Sequence, residues 1–233
     1  MLVISVAAIA FSGVPALLLS RRSALGQWIA AVLNMVGASV GIAALVIHCA
    51  NPGTSDHLRF GWALPFGQFA IGVDGVGAVF LIPMFLVPAL GSCYALGYWP
   101  QRRHIGNGRK LGLCWGLLTA GMAMVVLARD GVMLLVAWEV MALAAFFLVC
   151  TEDQNRDARD AAWVYLVATH AGTLCLFGFF ALLRYATGSF ELWPAAIRDR
   201  GANHHIFLPC VPIKQYLKGR QQSHERRQRK TSA

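Results

Sequence analysis

Apolar runs long enough to cross a lipid bilayer as helices restrict the fold of this chain more than any other feature. The run from Gly131 to Cys150 reads GVMLLVAWEVMALAAFFLVC and holds one charged residue, Glu139. A membrane-spanning helix needs about 20 consecutive, mainly apolar residues. Hydrophobic residues make up 57% of the chain and charged residues only 13%, which is unlike the composition of a soluble domain. The sequence therefore predicts an integral membrane protein.

Six apolar runs follow one another along the chain. They are Met1–Ser20, Leu25–Cys49, Val76–Trp99, Leu111–Ala128, Gly131–Cys150 and Ala161–Leu183. Between the second and third runs, alternating apolar residues on either side of Pro65–Gly67 predict two short strands joined by a turn. The predicted fold is an all-α membrane protein of about six transmembrane helices, with a short β-hairpin between helices 2 and 3. Residues 1–193 are expected to form this helix bundle.

The basic residues of the loops predict how the bundle lies in the membrane. Eight of them fall in three alternate loops: Arg21, Arg22, Arg102, Arg103, Arg109, Lys110, Arg156 and Arg159. The opposite loops hold only Arg59 and Arg129. Because basic loops stay in the cytoplasm, we expect a multi-pass protein of a bacterial-type inner (plasma) membrane with a non-cytoplasmic amino terminus.

Residues 194–233 differ in composition from the rest of the chain. From Arg198 onward they hold nine Lys and Arg and two acidic residues, a net charge of +7 out of +9 for the whole chain. Such a segment without apolar periodicity is typical of disorder. An abrupt change of this kind also fits a frameshift or truncation of a longer gene. Few aromatics accompany the charge, so we expect no nucleic-acid partner.

Glu139 and His170 are the candidate residues of a proton path. Glu139 is the ninth residue of the fifth run, near the middle of the bilayer. An ionisable group at that depth costs at least ~2.5–3.5 kcal/mol on insertion scales and usually faces a partner or a water-filled path. His170 is the tenth residue of the sixth run, at a similar depth. The alternatives are a locally hydrogen-bonded Glu and a neutral His bonded to a neighbouring helix.

Other polar residues near the runs are expected to have structural or interface roles. Asp74 precedes the third run and can cap its helix, while Arg129 and Asp130 close a tight turn between the fourth and fifth runs. Asn34, inside the second run, predicts a hydrogen bond between helices. The six cysteines form no CxxC pair, and phosphate-loop, HExxH and Rossmann motifs are absent. We expect no metal, no cofactor and no soluble catalytic activity.

Several segments resemble one family of membrane proteins. The segment WEVMALAAFFLV (Trp138 to Val149), the hairpin segment LPFGQFAIGVDGVGAVFLIP, the segment LGSCYALGYWP and the sixth run are similar to the proton-conducting membrane subunits. That family comprises the antiporter-like subunits of respiratory complex I, the Mrp cation/proton antiporters and the membrane arms of energy-converting hydrogenases. The similarity is greatest to its hydrogenase-4 and formate hydrogenlyase branch and covers about residues 1–193.

The resemblance implies a truncated, amino-terminal part of a subunit in a proton-translocating oxidoreductase complex, of the hydrogenase-4, formate hydrogenlyase or NADH:quinone type. Members use a Glu on the fifth span and a Lys on the seventh, and only Glu139 matches here. The implied partners are other membrane and peripheral subunits of a redox complex, the lipid bilayer, and protons with sodium as the alternative. The chain itself would carry no redox centre. An inactive structural fragment, an Mrp-type antiporter subunit and a small self-associating channel remain open.

Overall fold

The computed structural model describes residues 1–19, 24–50, 58–61, 68–101, 108–151 and 155–192. The helices and strands are α1 Leu2–Ala10, α2 Val14–Leu18, α3 Leu25–Ala50, β1 Leu58–Phe60, β2 Phe69–Ile71, α4 Gly75–Tyr98, α5 Gly108–Leu127, α6 Gly131–Val149 and α7 Arg156–Thr187. Five of these helices, α3 to α7, are long and apolar enough to cross a membrane. The predicted all-α membrane fold is therefore confirmed. The predicted tail, 194–233, lies outside the described residues.

The first predicted span is wrong as a single continuous helix. It consists of α1 and α2, separated by a turn at Phe11–Gly13 in which the N–H of Val14 donates to the carbonyl of Phe11. Pro15 lies in the first turn of α2, where a proline needs no hydrogen-bond partner for its nitrogen. Together they form a shorter apolar segment, Leu2–Leu18, beside the five long helices.

The observed helix α7 is longer at both ends than the sixth apolar run from which it was predicted. The side chain of Asn155 accepts a hydrogen bond from the N–H of Asp157 and starts α7 five residues earlier than predicted. Gly188 ends the helix with a left-handed conformation, φ 75°, which a glycine adopts without steric penalty. A helix of 32 residues is about 48 Å long, so α7 exceeds the thickness of a hydrocarbon core.

The predicted hairpin is confirmed as an antiparallel pair of strands, with Leu58 opposite Ile71 and Phe60 opposite Phe69. Trp62, Leu64 and the predicted turn at Pro65–Gly67 lie outside the described residues. The N–H of Arg129 donates to the carbonyl of Ala70. Through this bond the turn between α5 and α6 extends the hairpin.

The apolar core lies where α1 packs between α3 and α5. Gly37 of α3 faces Ile9, and Gly116 of α5 faces the carbonyl of Ile9 and the hydroxyl of Ser12. The hydroxyl of Ser5 donates to the carbonyl of Gly37 at 2.6 Å. Gly37 and Gly116 thus allow close helix contacts within this one chain. The core continues through Leu81 and Phe85 of α4, which are fully buried, and through β2.

Gly116→Ala should reduce stability, because the added methyl carbon would lie 2.5 Å from the carbonyl oxygen of Ile9. Such overpacking costs about 1–3 kcal/mol. Gly97→Ala is the matched control, since no atom lies within 4 Å of its added methyl group. It should be neutral or stabilising by up to about 1 kcal/mol. Thermal unfolding in detergent measures both variants, and equal stabilities would contradict the close contact between α1 and α5.

Candidate functional site

Glu139 and His170 meet across the contact between α6 and α7. The imidazole Nε2 of His170 lies 3.7 Å from Oε2 of Glu139. That distance is too long for a direct hydrogen bond, but it is within the range of an ion pair or of a contact bridged by water. Each residue lies inside a helix long and apolar enough to cross the membrane. The structure thus brings together the two residues that the sequence suggested for a proton path.

A backbone carbonyl orients the ring of His170. Its Nδ1 lies 2.9 Å from the carbonyl oxygen of Leu166, one turn earlier in α7. A carbonyl oxygen can only accept, so Nδ1 carries a hydrogen and donates it. In the neutral ring Nε2 then has a free lone pair, and this nitrogen faces the carboxyl group of Glu139. Two lone pairs repel, so the contact is attractive only when at least one of the two groups carries a proton.

The start of α6 sets the depth of Glu139. Asp130 caps α6, since its carboxylate accepts from the N–H groups of Val132 and Met133. The next residue, Gly131, lies directly against the ring of Phe180 on α7. Glu139 is eight residues beyond Gly131, and His170 is ten residues before Phe180, about 12 and 15 Å along their helices at 1.5 Å per residue. The Gly131–Phe180 contact therefore places the two side chains at matching depth.

A second contact ties the chain after α7 to the same turn. The N–H of Gly131 donates to the carbonyl of Phe190 at 2.8 Å, and the N–H of Leu192 donates to the carbonyl of Arg129 at 2.9 Å. Together with the hairpin, these residues form a cluster at one end of the bundle, which we call the hairpin cap. It comprises residues 58–60, 69–74, 128–131 and 190–192.

The other predicted residues, Asp74, Arg129 and Asp130, lie in the hairpin cap and not beside Glu139. Asp74 accepts from the N–H of Gly77 and so caps α4, and it also pairs with Nη2 of Arg129 at 3.0 Å. Burial opposes ionisation of Asp74, but the hydrogen bonds from Arg129 and Gly77 outweigh it, so its pKa lies below the ordinary value. Burial dominates at Asp130 and raises its pKa, despite the hydrogen bonds from Val132 and Met133.

Sequence reasoning missed one ion pair of the hairpin cap. Nη1 of Arg59, in β1, lies 3.0 Å from Oε1 of Glu191, which follows α7. The two residues are 132 positions apart, and no local pattern connects them. The carbonyl of Leu166 was also missed, because every residue of a helix has one and only the ring orientation selects it.

The pair of Glu139 and His170 lies at a surface that the described residues leave uncovered. The side chains of Glu139 and His170 are 31% and 48% exposed. Helix α7 packs against α6, and only its Ala162, Thr173 and Phe180 are buried. Within the described ranges, no cluster of three or more His, Cys, Asp or Glu residues could hold a metal ion. The arrangement can hold and move a proton between a carboxyl oxygen and an imidazole nitrogen.

Comparison with known proteins connects the chain to complexes of respiratory and antiporter type. An uncharacterised protein of Mycobacterium tuberculosis is 32% identical over 132 residues, 57% of this chain and 20% of its own length. Hydrogenase-4 component B of Escherichia coli is 23% identical over 182 residues, 78% of this chain and 26% of its own. The Na(+)/H(+) antiporter subunit A1 of Staphylococcus aureus is 29% identical over 133 residues, which are 56% of this chain and 16% of its own length. No protein-family model matches the sequence.

Solved structures share the fold. A chain of the Mrp complex from Dietzia sp. superposes with a TM-score of 0.64 at 24% identity, over 83% of this chain and 21% of its own length. A chain of respiratory complex I from Thermus thermophilus gives a TM-score of 0.60 at 19% identity, over 82% of this chain and 38% of its own length. The present chain thus spans about a quarter or less of the length of its curated relatives.

The orientation of His170 predicts an unusual neutral tautomer. In protein labelled with ¹⁵N-histidine, the signal of His170 should show a protonated Nδ1 and a bare Nε2 at a pH where the ring is neutral. The chain contains seven histidines, so loss of the signal in His170→Gln assigns it. A bare Nδ1 with a protonated Nε2 would show that the Leu166 carbonyl does not hold the ring.

Asp74 should stabilise the protein through its cap and its ion pair. Asp74→Ala removes both and should cost about 1–2 kcal/mol, whereas Asp74→Asn keeps an acceptor for Gly77 and should cost less than about 1 kcal/mol. Because the pKa of Asp74 is lowered in the folded protein, its contribution is present above the ordinary Asp value and disappears as the pH falls through the folded-state value.

Unfolding in detergent over a range of acidic pH measures this effect of Asp74. Asp157→Asn, an exposed carboxylate in the first turn of α7, is the control and should leave the pH profile unchanged. An Asp74→Asn profile identical to that of the wild type would exclude the ion pair as the cause.

Proposed function

We propose, from the match of this chain to the antiporter-like subunits of complex I-like and Mrp complexes, that it is part of a proton-translocating membrane subunit. Within it, Glu139 and His170 form a proton-relay site. The observation that carries this proposal is the 3.7 Å approach of the two groups inside neighbouring apolar helices.

Physical chemistry favours a transport role for this pair over a purely structural one. A partly exposed ion pair contributes little to stability, and the side chains of Glu139 and His170 are 31% and 48% exposed in the described structure. Ionisable residues within membrane helices usually mark ion or proton pathways. The described ion pairs of the hairpin cap differ from this pair, because they join a strand, loops and helix ends. Among the described contacts between acidic and basic side chains, only that of Glu139 and His170 lies within helices long and apolar enough to cross a membrane.

The relay works by sharing one proton between two acceptors. With Nδ1 of His170 bonded to Leu166, a proton leaving Oε2 of Glu139 can be taken up at Nε2. The product is a carboxylate beside an imidazolium, and the reverse step restores two neutral groups. A small side-chain movement or one bridging water closes the 3.7 Å gap. A positive charge brought near Glu139 favours the carboxylate and so drives the proton toward His170.

The exposure of the pair supports a multisubunit setting. Ionisable side chains against lipid tails are unfavourable, and α7 is the least buried of the long helices. We therefore place further protein over α6 and α7, contributed by other membrane subunits of a redox complex or by further helices of a longer subunit. Transport is then a property of the assembled complex, and the described helices alone are a structural fragment that carries one element of the path.

Two relatives favour different driving reactions. The similarity to hydrogenase-4 component B supports a complex in which a redox reaction drives protons, as in the hydrogenase-4, formate hydrogenlyase or NADH:quinone types. The similarity to a Na(+)/H(+) antiporter subunit supports the second candidate, an Mrp-type subunit that exchanges sodium for protons. Coverage does not separate the two candidates, because a probable K(+)/H(+) antiporter subunit of Rhizobium meliloti matches 78% of this chain at 28% identity, and hydrogenase-4 component B matches 78% at 23% identity.

Glu139→Gln should abolish most proton movement while leaving the protein in the membrane. The test uses inverted membrane vesicles from cells that make the chain with its natural partners, and a pH-sensitive dye reports acidification of the lumen. His170→Gln should lower the signal as well, because it removes the second proton acceptor. Repeating the assay with and without sodium separates the redox-driven candidate from the antiporter.

Glu191→Gln is the matched control. Oε1 of Glu191 lies 3.0 Å from Nη1 of Arg59, and the side chain of Glu191 is 24% exposed, close to the 31% of Glu139. It lies in the hairpin cap, so its neutralisation should leave acidification unchanged. Wild-type acidification by Glu139→Gln, at equal amounts of assembled complex on a native gel, would refute the relay.

A further inference from the structure

A small cavity with several polar side chains in its lining lies in another part of the bundle, between α2, α3, α4 and α5. Its volume is about 30 Å³, room for roughly one or two water molecules. Half of the described lining residues are Ala or Gly, and the polar side chains come from Ser12, Gln27, Asn34 and Ser92. The described lining residues include none from α6 or α7. The cavity is therefore distinct from the site of Glu139 and His170.

The side-chain oxygen of Asn34, at this cavity, needs a hydrogen-bond donor. Its side chain is only 2% exposed, and its Oδ1 has no hydrogen-bond partner. The predicted bond from Asn34 to a neighbouring helix is therefore wrong for this oxygen. An unsatisfied buried amide oxygen is destabilising, so a donor in the cavity would stabilise the protein.

Gln27 and Ser92, two of the polar side chains in the lining, are not free to donate to Asn34. The amide of Gln27 donates to the carbonyls of Ala95 and Trp99 at 3.1 and 3.0 Å, and its oxygen accepts from the N–H of Gln101. The hydroxyl of Ser92 donates to the carbonyl of Pro88 at 2.9 Å, so Ser92 can offer only its lone pairs. Asn34 and Ser92 thus both present acceptors to the cavity.

We propose that this cavity is a binding site for a small neutral hydrogen-bond donor, water in the resting protein, which donates to Asn34 Oδ1 and to Ser92. Water supplies two donors in the available volume. Among the described residues that line the cavity none is charged, so a metal cation or an ammonium ion would be buried without a counter-charge, which is costly. The site lies where α3 and α5 begin and α4 ends.

Radiolytic hydroxyl labelling in H₂¹⁸O tests the proposal on the full chain in lipid nanodiscs. Trp115 lines the cavity, and Phe85, 0% exposed in the apolar core, is the dry reference. Trp115 should take up label in the wild type, and Asn34→Leu should lower that uptake severalfold without changing Phe85. Ser92→Ala is a second variant that should lower it in the same direction.

Thermal unfolding of the same samples distinguishes a dry cavity from one that holds water. If the cavity is dry, Asn34→Leu removes an unsatisfied amide, so the melting temperature should rise while Trp115 labelling stays the same; that result would overturn the proposal. A melting temperature that does not rise, with reduced labelling, supports it. Sodium chloride is also exchanged for choline chloride at equal ionic strength. If sodium raises the melting temperature of the wild type and Asn34→Leu abolishes this rise, the cavity binds a cation instead of water. That result would also overturn the proposal.

Discussion

The contact of Gly131 with Phe180 fixes the axial position of α7 relative to α6, and the candidate site depends on it. Helices α6 and α7 are apolar along most of their surfaces, and apolar surfaces by themselves permit sliding. The ring of Phe180 occupies the space that a side chain at position 131 would fill, and the backbone bonds from Gly131 and Leu192 hold the chain after α7 at the same level. Glu139 and His170 therefore face each other at one depth.

The bundle separates its polar groups into two regions of different chemistry. Around α1, buried polar side chains such as Ser5, Ser12, Asn34 and Thr119 are uncharged, and they lie among closely packed glycines and alanines. At α6 and α7 the polar groups can ionise and lie at a surface. Uncharged groups can stay buried if they are hydrogen-bonded, whereas ionisable groups need a partner or water. The first region thus suits packing and bound water, and the second suits proton exchange.

Much of the fold was predictable because membrane insertion is decided locally. Four of the six predicted spans agree with α3, α4, α5 and α6 to within three residues at each end, since each is an apolar run bounded by charge. The break at Phe11–Gly13 had a local signal in Ser12–Gly13 followed by Pro15, which an apolar-run criterion ignores, and α1 then packs against α3 and α5. The early start of α7 had a local signal, Asn155 followed by Asp157, which an apolar-run criterion ignores.

The sequence by itself determined that the chain is a membrane protein and where most of its helices lie, and it predicted similar depths for Glu139 and His170. These properties follow from hydrophobicity and from position along each run, which need no knowledge of distant residues. Only the tertiary structure decided that the two side chains meet, that Leu166 orients the imidazole, and that Asn34 faces a cavity. Each of these depends on which helix faces touch. In an apolar bundle that choice is made by the shapes of residues far apart in sequence, such as Gly131 and Phe180.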